Sequence, residues 1–175
     1  NIGSMVFSVK CSPIINKKGE ILGVVEVFRN VTMARKLQKE LIDKNRFMTN
    51  ETNAASLIQK KVLPDKGFIK NLKVNYLYKP STILSGDMFD VFQIDDDNIG
   101  MYIADSVGHG FAASMVTMFI KSMVRTLDKS VQNSPKKTLT ELCKRFTGLK
   151  LEIENYFTCF YGVYNLKKRS FTFSN

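Results

Sequence analysis

Residues 85–110, SGDMFDVFQIDDDNIGMYIADSVGHG, restrict the fold more than any other stretch of the chain. MFDVFQI and NIGMYIAD are rich in β-branched and aromatic residues and are separated by the turn-forming DDDN, so they form an antiparallel hairpin. The second strand runs without a break into Asp105 and then into Gly108-His109-Gly110, a glycine-rich loop that opens a helix. In that helix, FAASMVTMFIKSMVRTL, the spacing of Phe111, Met115, Met118, Phe119, Met123 and Leu127 marks one face and assigns them to the core.

The rest of the chain extends this pattern. NLKVNYLYKP reads as a strand before the hairpin, TLTELCKRFTGLKLEI as a second helix behind Pro135, and YFTCFYGVYNLKKRSFTFSN as two strands around a basic turn. Strands, then helices, then strands again, without regular βαβ alternation, predict an α+β fold with an antiparallel sheet and packed helices. Residues 1–32 read as two more strands joined through a Lys-Gly turn. Residues 33–63 are helical, with Thr32 as N-cap and Pro64 as the stop. A heptad register puts Lys44 and Glu51 at core positions, which excludes a strong coiled coil. Two helical pieces, LQKEL and AASLIQKKVL, separated by NRFMTNETN, fit better; their apolar faces need either the following domain or a second copy of the chain.

Composition narrows the function classes. With 175 residues and 44% hydrophobic content the chain can build a core, and it has no apolar run of membrane-spanning length and no signal-peptide pattern at its start. A cytoplasmic protein with no membrane partner is expected. The net charge of +10 is spread over scattered lysines such as Lys36, Lys60 and Lys136, without the stripe of bases and aromatics that nucleic acid requires. A solvated basic surface that attracts an acidic protein is the expectation instead. Cys11, Cys143 and Cys159 have no metal-like spacing and are read as small buried hydrophobes.

Against that basic background, residues 85–110 hold six aspartates and no lysine or arginine. Asp95, Asp96 and Asp97 are turn residues. Period-two alternation puts Asp87 on one strand face and Asp90 on the other, while the hairpin brings Asp87 and Asp105 toward one sheet end. Carboxylates converging without a nearby base repel each other, and a divalent cation offsets that repulsion. Oxygen donors without a His or Cys cluster suit magnesium or manganese. On the residues alone, the alternative that Asp87 and Asp105 are caps or hydrogen-bond anchors stays open.

Gly86-Asp87-Met88-Phe89-Asp90, Asp105-Ser106-Val107-Gly108-His109-Gly110 and the upstream LIQKKVLP and LYKPSTILSGD together resemble the signature of bacterial metal-dependent serine/threonine protein phosphatases of the stage II sporulation protein E type (PPM, type 2C-like). The resemblance covers residues 57–175. It implies an αββα sandwich, present in part, around two Mn2+ or Mg2+ ions. Asp87 and Asp105 would be the catalytic metal ligands, Asp90 a further ligand or the holder of a bound water, and Ser106 a ligand through its carbonyl. Gly86, Gly108, His109 and Gly110 would shape the loop; Val107 stands where type 2C relatives place an acid, so His109 is assigned to loop shape rather than proton donation. The implied reaction is hydrolysis of a phosphoserine or phosphothreonine protein by an activated water, with a phosphorylated anti-sigma-factor antagonist as substrate, in bacterial signal transduction. Residues 1–32 resemble the end of a PAS sensor domain, which divides the chain into that remnant, a linker at 33–64 through which a homodimer could form, and the N-terminal part of a phosphatase domain at 65–175. The chain stops at FTFSN, where the family continues into further aspartates, so these residues are expected to carry half a metal shell and little activity on their own. The competing function is a non-catalytic regulatory module that relays a sensor signal.

Overall fold

The computed structural model describes residues 4–151 and 156–175. Eight strands and four helices follow in the order β1 (Phe7–Ile15), β2 (Ile21–Asn30), α1 (Thr32–Lys61), β3 (Gly67–Ile69), β4 (Leu72–Val74), β5 (Asp87–Gln93), β6 (Asn98–Ser106), α2 (Phe111–Thr126), α3 (Lys129–Gln132), α4 (Pro135–Gly148), β7 (Phe157–Asn165) and β8 (Ser170–Ser174). The chain divides into two compact units, residues 1–50 and 51–175.

In the first unit, β1 and β2 pair antiparallel, as the Lys-Gly turn predicts. The Asn16 side-chain oxygen accepts from the backbone N–H of Lys18 and Glu20 at 2.8 and 2.9 Å, and Gly19 turns with φ +83°. Most apolar residues of the hairpin are exposed, among them Val9, Ile21, Val25 and Phe28. Residues 32–61 form one continuous helix rather than two pieces. The asparagines of NRFMTNETN weaken a helix by only fractions of a kcal/mol each, too little to break it.

The second unit is built on a four-stranded antiparallel sheet in the order β5-β6-β7-β8. Alternation gives the sheet two unlike faces. Met88, Phe92, Tyr102, Ala104, Tyr161 and Val163 form a buried core with Val116, Ile120 and Val124 of α2 and Leu142 of α4. Each of the larger side chains among them contributes about 1.5–3 kcal/mol by leaving water. Tyr161 keeps its hydroxyl satisfied in this core by donating to the Gln132 carbonyl at 2.8 Å, and burial pushes its pKa up to about 12. The opposite face exposes Ile103, Phe171 and Phe173, with the Phe160 and Phe173 rings stacked 5.4 Å apart.

Several expectations change on contact with this architecture. Of the face assigned to the core, Leu127 is buried and Met118 and Met123 pack against the core, but Phe111 and Met115 are 63% and 51% exposed, and the buried stripe of α2 is Ala113, Val116, Ile120 and Val124. Two apolar stripes overlap on this helix, and the one that meets the sheet is the one carrying the β-branched residues. Of NLKVNYLYKP only Leu72–Val74 pairs, with β3. Pro135 is the first residue of α4, which ends at Gly148; Glu152 and Ile153, assigned to this helix from sequence, lie outside the described residues. Cys11 and Cys143 are exposed and Cys159 half-buried, all three as free thiols, so only Cys159 approaches the hydrophobe expected. No helix among the described residues is long and apolar enough to cross a membrane.

Candidate metal centre

The β5–β6 register sets Asp87 directly opposite Asp105. Facing residues in an antiparallel pair hold their Cβ atoms about 4.5–5.5 Å apart, within carboxylate reach of each other. Burial, then the charge of Asp105 and a hydrogen bond with it, raise the Asp87 pKa, while a hydrogen bond with Ser85 pulls the other way. Two carboxylates thus share one sheet end, and among the described residues neither forms a salt bridge with a base. They line a cleft of about 700 Å³ with Ile103, Thr158, Phe160 and Asn175. A larger cavity of about 830 Å³, which Leu139, Phe146, Phe157 and Cys143 help to line, includes no carboxylate side chain among its walls, so donor chemistry places the site at the aspartates.

Thr158 follows from the same register. It stands opposite Asp105 on β7, so Asp87, Asp105 and Thr158 form a row across three strands. Sequence reasoning missed it because nothing in YFTCFYGVYN announces that this strand pairs with β6.

The approach to the site is tightly fixed. Gly86 has no room for a side chain: a Cβ there would lie 3.0 Å from the Ser106 carbonyl oxygen and 3.1 Å from that of Gly108. The Ser106 N–H in turn donates to the Gly86 carbonyl at 2.9 Å, which pins the Asp105 loop to the start of β5. Gly108 and Gly110 adopt φ of +82° and +84°, a region that side chains disfavour. His109 between them is exposed. Tyr78 packs against Phe89 with ring centroids 6.2 Å apart, and the Ser106 hydroxyl is buried without a hydrogen-bond partner among the described residues. Burial raises the Tyr78 pKa, a hydrogen bond with Ser85 pulls it back, and the Asp87 charge adds to the rise.

Asp90 is not part of this cluster, which corrects its assignment as a metal ligand or water holder. Its side chain is fully buried on the core face, where its carboxylate accepts from Lys121 Nζ and Arg125 Nε at 2.7 Å each and from the Val91 N–H at 2.9 Å. Arg125 also lies over the Phe92 ring, 4.4 Å from its centroid. Strand alternation forces the separation: three residues along an unbulged strand turn a side chain to the other face. The absence of nearby bases, argued from local sequence, therefore holds for Asp87 and Asp105 but not for Asp90, whose bases come from α2.

The donor set fits a hard divalent cation. Two carboxylates with no ion-pair partner among the described residues face one another beside a cleft that Thr158 also lines. Among the described residues no group of three or more His, Cys, Asp or Glu gathers, so this chain offers two carboxylate anchors rather than a closed cage.

Comparison with known proteins agrees with the fold. Residues 95–175 match the family model "Stage II sporulation protein E (SpoIIE)". The chain is 28% identical over 129 residues to "Phosphoserine phosphatase RsbP" of Bacillus subtilis (strain 168), covering 71% of this chain and 32% of that protein. It is 26% identical over 153 residues to "Phosphoserine phosphatase RsbU" of the same organism, covering 87% and 45%. The chain therefore spans less than half the length of these curated relatives. A solved structure, "SiaA-PP2C domain of Pseudomonas aeruginosa", superposes with a TM-score of 0.63 at 20% identity, over 74% of this chain and 54% of that one, a likeness of fold.

Proposed function

We propose that the protein is a metal-dependent phosphatase that hydrolyses phosphoserine or phosphothreonine on a regulatory protein, a reading supported by the match of residues 95–175 to the stage II sporulation protein E family model. The observation that carries this reading is the facing pair Asp87 and Asp105, two carboxylates with no cation of their own at the mouth of a cleft. The names of the two relatives, both phosphoserine phosphatases, support this substrate class.

Asp87 and Asp105 would hold Mn2+ or Mg2+, with the Ser106 carbonyl at the loop they share. Such ions supply charge stabilisation for phosphoryl oxygens and lower the pKa of water. The protein's own part is to keep the two carboxylates opposed on a rigid sheet and to present a basic surface. That surface, at a net +10, favours encounter with an acidic phosphoprotein, and an anti-sigma-factor antagonist is the substrate we assign. A homodimer through residues 33–64 belongs to the same reading and is supported by exposed Leu37, Leu41 and Met48 on α1.

The test is phosphate release from a phosphoserine protein with and without MnCl2. Manganese-dependent release that disappears in Asp105→Asn supports the phosphatase. Equal release by the variant defeats the assignment of the pair, and manganese binding without release by the full-length protein favours the non-catalytic module.

A further inference from the structure

Away from the carboxylate pair, one buried polar side chain ties α1 to the segment that leads into β5. Gln59, near the C-terminal end of α1, is 3% exposed. Its carboxamide is spent entirely on one residue: Nε2 donates to the Ser85 carbonyl at 2.8 Å and Oε1 accepts from the Ser85 N–H at 3.0 Å. The amide thus does for Ser85 what a neighbouring strand does for a strand residue, at a point just ahead of β5. Flipping the amide would set donor against donor and acceptor against acceptor, so its orientation is fixed by the pair of bonds.

We infer that Gln59 is a positioning residue for Asp87, acting through the Ser85 main chain. The path is short. Ser85 Oγ accepts from the Asp87 N–H at 3.0 Å, and the Gly86 carbonyl between them accepts from Ser106 at 2.9 Å. Gln59 holds the residue before Gly86 on both its polar groups, the loop holds Gly86, and Asp87 enters the ladder opposite Asp105 with little freedom left. Without Gln59, two buried main-chain groups at Ser85 lose their partners, and the entry to β5 shifts until water or another group satisfies them. A leucine of similar volume cannot replace it. Glutamate can accept from the N–H but sets a carboxylate against the Ser85 carbonyl.

The inference rests on the proposed reading that Asp87 and Asp105 hold a divalent cation, and it is tested on cation binding itself. MnCl2 is titrated calorimetrically into the wild-type protein and into Gln59→Leu, Gln59→Glu, Ser85→Ala and Asp105→Asn, with thermal melting of each. Leu142→Ala, in the core and remote from the aspartates, serves as the control for general destabilisation. Loss of an orienting hydrogen bond to a metal-holding group weakens affinity about 10–100-fold. Gln59→Leu and Gln59→Glu are expected to fall about tenfold or more, and Ser85→Ala by less. Leu142→Ala is expected to bind as wild type does, even with a lower melting temperature. In turnover the Gln59 variants raise the manganese concentration for half-maximal rate, and saturating manganese restores kcat.

Wild-type affinity in both Gln59 variants overturns the inference alone, as does a loss matched by Leu142→Ala. If Gln59→Leu does not fold, Gln59→Glu decides. A wild-type protein that binds no manganese, or binds it no better than Asp105→Asn, overturns the phosphatase reading and this inference with it.

Discussion

Asp87 and Asp105 face each other across β5 and β6 with no ion-pair partner among the described residues, so the fold maintains a repulsion that a proton or a cation relieves. The sign follows from the raised Asp87 pKa. A carboxyl whose folded pKa lies above its unfolded value favours the folded state fully at pH below the ordinary carboxylate range. That contribution is lost as pH rises through the folded value. At neutral pH and without metal, Asp105→Asn should therefore melt higher than wild type. The site is exposed and screened, so the rise is small, about 1–4 °C. The same variant should lose the stabilisation that MnCl2 gives the wild type, since ligand-linked stability requires the bound state. Calorimetric melting with and without manganese reads both effects.

Asp90 makes the opposite prediction from its neighbour three residues away. Its carboxylate is fully buried between Lys121 and Arg125, so Asp90→Ala leaves two bases facing a void and should cost about 3–5 kcal/mol in urea unfolding. Lys121→Met keeps the Arg125 pair and should cost clearly less. Manganese affinity should change in neither beyond what destabilisation explains, because this carboxylate points away from the Asp87 face.

Much of this arrangement is legible in the amino-acid order, and the limit falls where contacts become long-range. The β5–β6 hairpin follows from alternation and the DDDN turn, and counting outward from that turn brings Asp87 and Asp105 to one sheet end. The same alternation separates Asp90 from Asp87; the likeness to a family motif pulled Asp90 back toward the metal, and the sheet does not allow it. Lys121 and Arg125 lie 31 and 35 residues from Asp90, and no local pattern marks them as its partners. Gln59 is 26 residues from Ser85, and a glutamine in a lysine-rich, largely exposed helix gives no sign that it faces inward. On α2, spacing reveals apolar stripes but not which stripe meets the sheet.

Asp95 anchors the hairpin turn and sets a pH dependence of opposite sign to that of Asp87. Burial alone would raise its pKa. Hydrogen bonds from the Asn98 and Asn133 side chains and from the N–H groups of Asp97 and Asn98 outweigh it and pull the value down to about 2. A carboxylate held below its unfolded pKa contributes stability in full above about pH 4, and that contribution is lost as pH falls through about 2. After discounting for solvent, Asp95→Ala should cost about 1 kcal/mol at pH 7 and clearly less at pH 2. Urea unfolding at the two pH values measures the difference.

Gly86 links the two halves of the carboxylate pair most directly, and it does so by lacking a side chain. Its backbone φ is not in the left-handed region, so alanine meets no dihedral penalty there; the obstacle is space alone. A methyl group would press on the Ser106 and Gly108 carbonyl oxygens, both main-chain atoms that cannot rotate away, and on Ala113 at 3.3 Å. Relief requires the Asp105 loop to move off β5, which strains the hydrogen bond from Ser106 to Gly86 and displaces Asp105 from Asp87. Gly86→Ala should cost about 1–3 kcal/mol of stability by overpacking. It should also weaken manganese binding more than an equally destabilising core variant such as Leu142→Ala does. Equal manganese affinity in the two would mean that the loop tolerates the methyl group and that Gly86 serves chain geometry rather than the pair.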